Sequence, residues 1–215
     1  MLQHWIEQLN AGRALAENDA RQAVQELTDE SVPTPLKADF LTALGKKGET
    51  PDEITTFARA LRDKAITPPL DAELRAREIL DVVGTGGDRL GTFNISTATA
   101  LICAATGVTV AKHGNRAVTS QAGSADVLQA LGIRIDLTPA EAARSMKERD
   151  FAFFFAPDYH PAFKNIAPAR KLCAERGVRT IFNLLGPLLN PTHPSAMLMG
   201  VPRPELCEPL GHLIN

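Results

Sequence analysis

Gly84-Thr85-Gly86-Gly87-Asp88 has the residue types and spacing to hold an anion. It closes a short apolar run, Asp81-Val82-Val83, in a glycine-rich turn that ends on a carboxylate. Asn94-Ile95-Ser96-Thr97 then opens an alanine-rich segment. Glycines let the backbone come close to a phosphate, N–H groups point at its oxygens, and the N-terminus of the following helix adds a favourable dipole. The loop matches neither of the two commonest phosphate motifs. A P-loop needs G-x-x-x-x-G-K-[ST], and the dinucleotide fingerprint needs G-x-G-x-x-G. Counted from Gly84, Arg89 stands in both where a required glycine belongs. A strand-to-helix turn with no ligand is the plain alternative. Against it, Gly84, Gly86, Gly87, Asp88, Gly91, Asn94, Ser96 and Thr97 concentrate anion donors and metal-capable oxygens in one loop and one helix start.

A second constellation, Lys112-His113-Gly114-Asn115-Arg116, directly follows an apolar strand-like run. In a parallel sheet it lies at the same carboxyl edge as the glycine loop, where ligands bind. Lys112 and Arg116 could hold a diphosphate, and His113 and Asn115 could donate hydrogen bonds to a second ligand. Thr119-Ser120 and Gly123-Ser124 add a hydroxyl-bearing helix start. In a third group, His160 to Arg170, the cations Lys164 and Arg170 are six residues apart and need not face the same way. By composition Gly186-Pro187-Leu188-Leu189-Asn190-Pro191 is only a rigid turn.

The elements that must position these residues fall into two parts. To about Ala65 the pattern is helical throughout. Leu2, Trp5, Ile6 and Leu9 form one stripe; Asn18-Asp19 is a plausible cap for a helix with Ala23, Val24 and Leu27; Leu36, Phe40, Leu41 and Leu44 form a third. Thr50-Pro51-Asp52-Glu53 is a capping box ahead of Ile54, Phe57, Ala58 and Leu61. From Ile79, strands are expected at Ile79–Val83, Val108–Ala111, Ile133–Leu137, Phe151–Phe155, Thr180–Phe182 and Met197–Val201. Helices alternate with them at Ala98–Thr106, Ala125–Leu131, Thr138 to Arg149 and Pro161–Arg176. That alternation implies a mainly parallel sheet with crossover helices. The expected organisation is a small all-helical domain, residues 1–68, followed by a larger α/β domain, residues 69–215.

Composition removes several function classes. Net charge is -2 over 215 residues, so no bulk attraction to nucleic acid or an anionic membrane exists, and aromatics at 5% weaken any base-stacking surface. Cys103, Cys173 and Cys207 have neither disulfide-framework nor zinc-site spacing and read as buried free thiols. The N-terminus, Met1-Leu2-Gln3-His4-Trp5, lacks the basic and apolar regions of a secretion signal, and no run reaches the ~18 apolar residues of a membrane span. A soluble, cytoplasmic protein is expected.

Taken in order, Gly84–Asp88, Asn94–Thr97, Lys112–Asn115, Gly123-Ser124-Ala125-Asp126-Val127-Leu128 and Asn183-Leu184-Leu185-Gly186-Pro187 resemble the anthranilate phosphoribosyltransferase family over the whole chain. The resemblance implies a helical domain and an α/β domain of the nucleoside phosphorylase/phosphoribosyltransferase kind, with the active site between them. It implies a homodimer joined through the N-terminal helices. The implied reaction joins anthranilate to 5-phosphoribosyl 1-diphosphate (PRPP) with Mg2+, in tryptophan biosynthesis. It implies that Gly84, Gly87, Asp88, Thr92, Asn94, Ile95, Ser96, Thr97, Lys112, Gly114, Asn115, Arg116, Ser120 and Ser124 bind PRPP, with Ser96 also a metal ligand. Gly84, His113, Asn115, Arg170 and Pro187 would bind anthranilate. No general base is assigned; Lys112 and His113 would act by electrostatics and positioning. Leu189 departs from the family's more frequent Thr, and the stretch from Arg170 to Gly177 is slightly longer than usual. The family's metal-binding Asp-Glu pair belongs to a part of the sequence beyond Asn215, so a truncated, weakly active or inactive chain is expected. Two other readings stay open: an enzyme like a pyrimidine-nucleoside phosphorylase, and a non-catalytic binding or dimerisation module.

Overall fold

A computed structural model describes residues 1–85, 93–117, 122–201, 204 and 207–214. Its contacts divide into two compact units. One holds Met1–Ala65, Pro161–Leu189 and the chain from Glu208; the other holds Ile66–His160 and Asn190–Cys207. Chain order alone gives 161–189 to the α/β part, whereas its contacts group it with the N-terminal helices.

In the helical unit, α1 (Leu2–Asn10), α2 (Glu17–Thr28), α3 (Thr34–Lys47) and α4 (Pro51–Arg62) bury the stripes expected of them, save Leu36, which is half-buried. Helix α2 starts ahead of Asn18-Asp19, with Ala16 as its N-cap. Trp5 meets Phe40 edge-on at 6.5 Å, and Phe40 stacks on Phe57 at 6.5 Å. Burying one such ring contributes roughly 1.5–3 kcal/mol. The Thr50–Glu53 capping box forms. The Glu53 carboxylate goes further, accepting from Leu15 N at 2.9 Å and Lys47 Nζ at 2.8 Å, so this buried charge is fully paired.

The later part of this unit departs from the expected elements. In place of one helix over Pro161–Arg176 there is a 3-10 turn, Pro161–Asn165, and then the helix Ala167–Glu175. Pro168 lacks an N–H and is tolerated only in a first turn, so the α-helix starts beside it. No strand forms at Thr180–Phe182. Asn183 Oδ1 accepts from Thr180 N at 3.0 Å, and a short helix runs over Phe182–Leu185. Local capping overrides the β-branched Thr180-Ile181 pair.

The α/β unit has α5 (Ala72–Arg75), β1 (Ile79–Gly84), α6 (Ile95–Ala105), β2 (Thr109–Gly114), α7 (Ser124–Ala130), α8 (Pro139–Arg149), β3 (Phe151–Phe155), α9 (Ala156–Tyr159) and β4 (Ala196–Gly200). With the helices Ala167–Glu175 and Phe182–Leu185 numbered α10 and α11, α12 spans Cys207–Ile214. The sheet is all parallel, in the order β3-β2-β1-β4. Strand alternation sends Ile79, Ala111, Ala152 and Phe154 to one face, against Leu74, Met146 and Tyr159. Val82 and Val110 go to the other face, against Ala100 of α6.

The expected strand Ile133–Leu137 is absent. Gly132 ends α7 in a left-handed turn (φ +76°) and Ile133 N donates to Leu128 O at 2.9 Å. Ile133 and Ile135 then drop into the cluster with Leu128 and Phe153 without sheet pairing, because the capping box at Thr138 starts α8 at once. All three cysteines are free thiols, but only Cys173 is buried; Cys103 is half-buried and Cys207 exposed.

Candidate functional site

The strand order reverses at β1: the chain moves from β1 to β2 and β3 on one side, then places β4 on the other. Ligands of open parallel sheets bind at the carboxyl ends of strands at such a switch point. Gly84 ends β1 there, level with Gly200 of β4, and Thr85 N donates to Gly200 O at 3.0 Å. Gly84 and Thr85 therefore lie at the reversal. Gly87, Asp88 and Thr92 of that loop, and Ser120 further on, lie outside the described residues.

Strands β1 and β2 pair at Ile79↔Thr109 and Leu80↔Val110. Nearer the carboxyl edge, side chains take backbone groups of both strands. Lys112 Nζ donates to Val82 O at 2.7 Å, Asn190 Nδ2 donates to Ala111 O at 2.7 Å, and Asp81 Oδ1 lies 3.4 Å from the donating His113 N. Asp81, Lys112 and Asn190 are all buried. Burial pushes the Asp81 carboxyl up to about 6, against the opposing pull of Asn190 and Lys112. Burial also pushes the Lys112 ammonium down to about 8, opposed by the Asp81 charge. Asp81 and Asn190 carry none of the roles expected from sequence. An acid inside an apolar strand was the signal for Asp81; nothing marks Asn190 beyond a turn.

Lys112 and His113 are adjacent in sequence and separate in space. Lys112 lies on the α6 face, with Nζ 3.5 Å from Ser96 Oγ in the first turn of α6. His113 lies on the opposite face, its ring 5.2 Å from that of His160 in an edge-to-face pair. Asn94 precedes α6 and donates from Nδ2 to Ala122 O at 3.3 Å. Ile95 is exposed. Thr97 Oγ1 is buried with no partner among the described residues.

The segment after β2 is closed by Asp126, which accepts from Ala117 N at 3.0 Å, Gly123 N at 2.8 Å and Arg116 at 2.9 Å. Those two backbone N–H groups hold its carboxyl below the usual range. Arg116 also donates to Gln129 and sits 5.9 Å over the Phe155 ring. Ser124 Oγ donates to Asn115 O at 3.2 Å. A Cβ on Gly114 would strike Ser124 Oγ and the Phe153 ring. A groove of about 520 Å³ nearby, lined by Arg116, Arg134, Asp136 and Asp158, has both arginines already paired.

Arg170 and Pro187 belong to the helical unit. The Arg170 side chain is exposed, with its guanidinium carbon 5.3 Å over the Phe182 ring. Pro187 is buried in a 3-10 turn.

Two family profiles match the chain. The helical bundle domain of a glycosyl transferase family covers residues 3–65, and the a/b domain of a glycosyl transferase family covers residues 76–215. The chain belongs to this glycosyl transferase family. It is 46% identical over 215 residues to the anthranilate phosphoribosyltransferase of Petrotoga mobilis, covering 100% of this chain and 60% of that one. Against the Thermomicrobium roseum enzyme of the same name it is 47% identical over 210 residues, covering 97% and 58%. The crystal structure of anthranilate phosphoribosyltransferase from Thermus thermophilus superposes with a TM-score of 0.87 at 43% identity, covering 97% of this chain and 61% of that one. The Saccharomyces cerevisiae enzyme in complex with PRPP and Mg gives 0.85 at 27% identity, with 99% and 62% covered. This glycosyl transferase chain thus spans about three-fifths of the length of these relatives.

Proposed function

We propose that the protein carrying this chain transfers the phosphoribosyl group of PRPP to anthranilate, releasing diphosphate. The observation that carries the reading is the placement of Lys112. Its ammonium is buried on the sheet and lies 3.5 Å from Ser96 in the first turn of α6. A helix N-terminus is itself positive, so this cation has an unfavourable neighbour. An anion bound at the carboxyl edge would satisfy both. The relatives carrying the name anthranilate phosphoribosyltransferase support the choice of substrates.

In this reading Gly84, the α6 start at Asn94–Thr97, Lys112, Gly114, Asn115, Arg116 and Ser124 hold PRPP, joined by Gly87, Asp88, Thr92 and Ser120. Arg170 takes the anthranilate carboxylate as a two-pronged donor, with Gly84, His113, Asn115 and Pro187 as further contacts. The aromatic amine is close to neutral and already nucleophilic, so no general base is required. The difficulty is the charge that develops on the departing diphosphate while ribose C1 becomes cationic. Lys112 and the first N–H groups of α6 stabilise that charge, and a positioned amine supplies much of the remaining acceleration.

Magnesium is implied by the yeast relative bound to PRPP and Mg. The Ser96 hydroxyl is a hard oxygen donor of the kind that ion takes, and no cluster of three or more His, Cys, Asp or Glu exists among the described residues. Ser96 would be one ligand of Mg2+, beside phosphate oxygens and the Asp-Glu pair that the family resemblance implies beyond Asn215, and the ion would neutralise diphosphate charge. The same reading makes the protein a cytoplasmic homodimer joined through its N-terminal helices. No described helix is long and apolar enough to cross a membrane.

The test is the loss of anthranilate fluorescence on adding PRPP and Mg2+, beside phosphorolysis of pyrimidine nucleosides. Turnover of anthranilate alone is expected. Nucleoside phosphorolysis without anthranilate turnover would overturn the reading.

A further inference from the structure

We infer that Phe182 is a positioning residue for Arg170; this rests on the proposed role of Arg170 in holding an aromatic carboxylate. Both residues lie in the helical unit, Arg170 on α10 and Phe182 at the start of α11. Arg75, Arg77, Arg116, Arg134 and Arg176 all donate to carbonyl or carboxylate oxygens. Arg170 makes no such bond among the described residues, and its guanidinium rests on the Phe182 ring at 5.3 Å. A π face attracts the guanidinium without using an N–H donor. The five donors remain available while the cation is held in place, which suits two-pronged capture of a carboxylate.

The platform is itself fixed. Phe182 is only 6% exposed. The Phe163 ring meets it edge-on at 5.6 Å and 87°. Thr180 N bonds Asn183 Oδ1 at 3.0 Å, pinning the turn that begins α11. A ring with two side-chain torsions, buried and braced, costs little further entropy when ligand arrives. Leucine at 182 would fill similar space but offer no π face, leaving the flexible arginine to be ordered by the ligand at a cost in affinity.

The experiment uses anthranilate and its uncharged analogue anthranilamide, with binding read by ligand fluorescence. Phe182→Leu and Phe182→Met remove the ring and keep apolar volume; Phe182→Tyr keeps the π face. Anthranilate affinity should fall about tenfold in the Leu and Met variants and stay within about twofold in Tyr. Anthranilamide affinity should not change. In an Arg170→Gln background Phe182→Leu should cause no further loss. In nitrogen-15 spectra the Arg170 Nε–H should lose its ring-current shift in the Leu and Met variants. Equal losses for both ligands, an undiminished loss in the Arg170→Gln background, or an unmoved Nε–H signal would each overturn the inference while leaving the proposed function standing. A parent protein that binds no anthranilate would overturn that function and this inference with it.

Discussion

Among the described residues two lysines are buried, Lys37 on α3 and Lys112 on β2, at 2% and 1% exposure. Burial lowers the pKa of both. Their surroundings differ in a way that separates a strut from a site. Lys37 Nζ donates to Asp29 O at 2.6 Å and Asn165 O at 3.0 Å, just beyond the C-terminus of α2. A cation is favoured at that end of a helix. Lys112 donates to one carbonyl at 2.7 Å, has a hydroxyl at the 3.5 Å limit, and faces the N-terminus of α6, where a cation is disfavoured. The first lysine completes the helical unit by itself. In the proposed reading the second is completed by a bound anion.

The largest expected effect follows from that contrast. Lys112→Met should reduce PRPP-dependent turnover by ~10²–10³, the usual consequence of removing one group that stabilises transition-state charge. The melting temperature should change little. A large drop in melting temperature with normal turnover would make Lys112 a second strut.

Lys37→Met should act the other way. It strands the carbonyls of Asp29 and Asn165, and a buried unpaired polar group costs roughly 1–3 kcal/mol. Relief of the lysine's own desolvation offsets part of this, leaving about 2 kcal/mol of destabilisation in urea unfolding. PRPP affinity should stay within about twofold. A loss of affinity exceeding the loss of stability would erase the distinction.

An effect of similar size, confined to a pH window, concerns Asp81, a buried carboxylate beside Lys112 that Lys37 lacks. Its folded pKa of about 6 lies above the ordinary 3.8. The folded state therefore binds the proton more tightly. That contribution is fully present below about pH 4 and is lost as pH rises through 6. Asp81→Asn should flatten the fall in stability between about pH 4 and 6.5 by on the order of 2 kcal/mol. An unchanged slope would show that burial around Asp81 is relieved in solution.

Much of this was legible in the residues. The four N-terminal helices and Phe151–Phe155 appear where the apolar pattern puts them and both Thr–Glu capping boxes form, because each signal is local, while the expected cap at Asn18-Asp19 does not. Two expected strands failed for the same kind of reason. Ile133–Leu137 and Thr180–Phe182 have apolar or β-branched patterns, and nearby caps claimed their backbone first. The grouping of 161–189 with the helical unit rests on contacts such as Arg176 with Asp39 at 2.7 Å and Cys173 Sγ with Ala38 O at 3.4 Å. No pattern in either segment announces the other.

The sequence by itself determined which residue types are on hand: a glycine turn, a hydroxyl-bearing helix start and a lysine near a strand end, a set suited to an anionic ligand. Tertiary structure decided which of these residues act together. Strand alternation sent Lys112 and His113 to opposite faces, the reversal at β1 put Gly84 beside β4, and Asp81 and Asn190 took the backbone of His113 and Ala111 on either side of Lys112, from 31 residues before and 78 residues after it in the chain. Side-chain direction and strand order are properties of the whole sheet, fixed by which face is buried and which strand lies alongside, so they exist only once distant segments have packed.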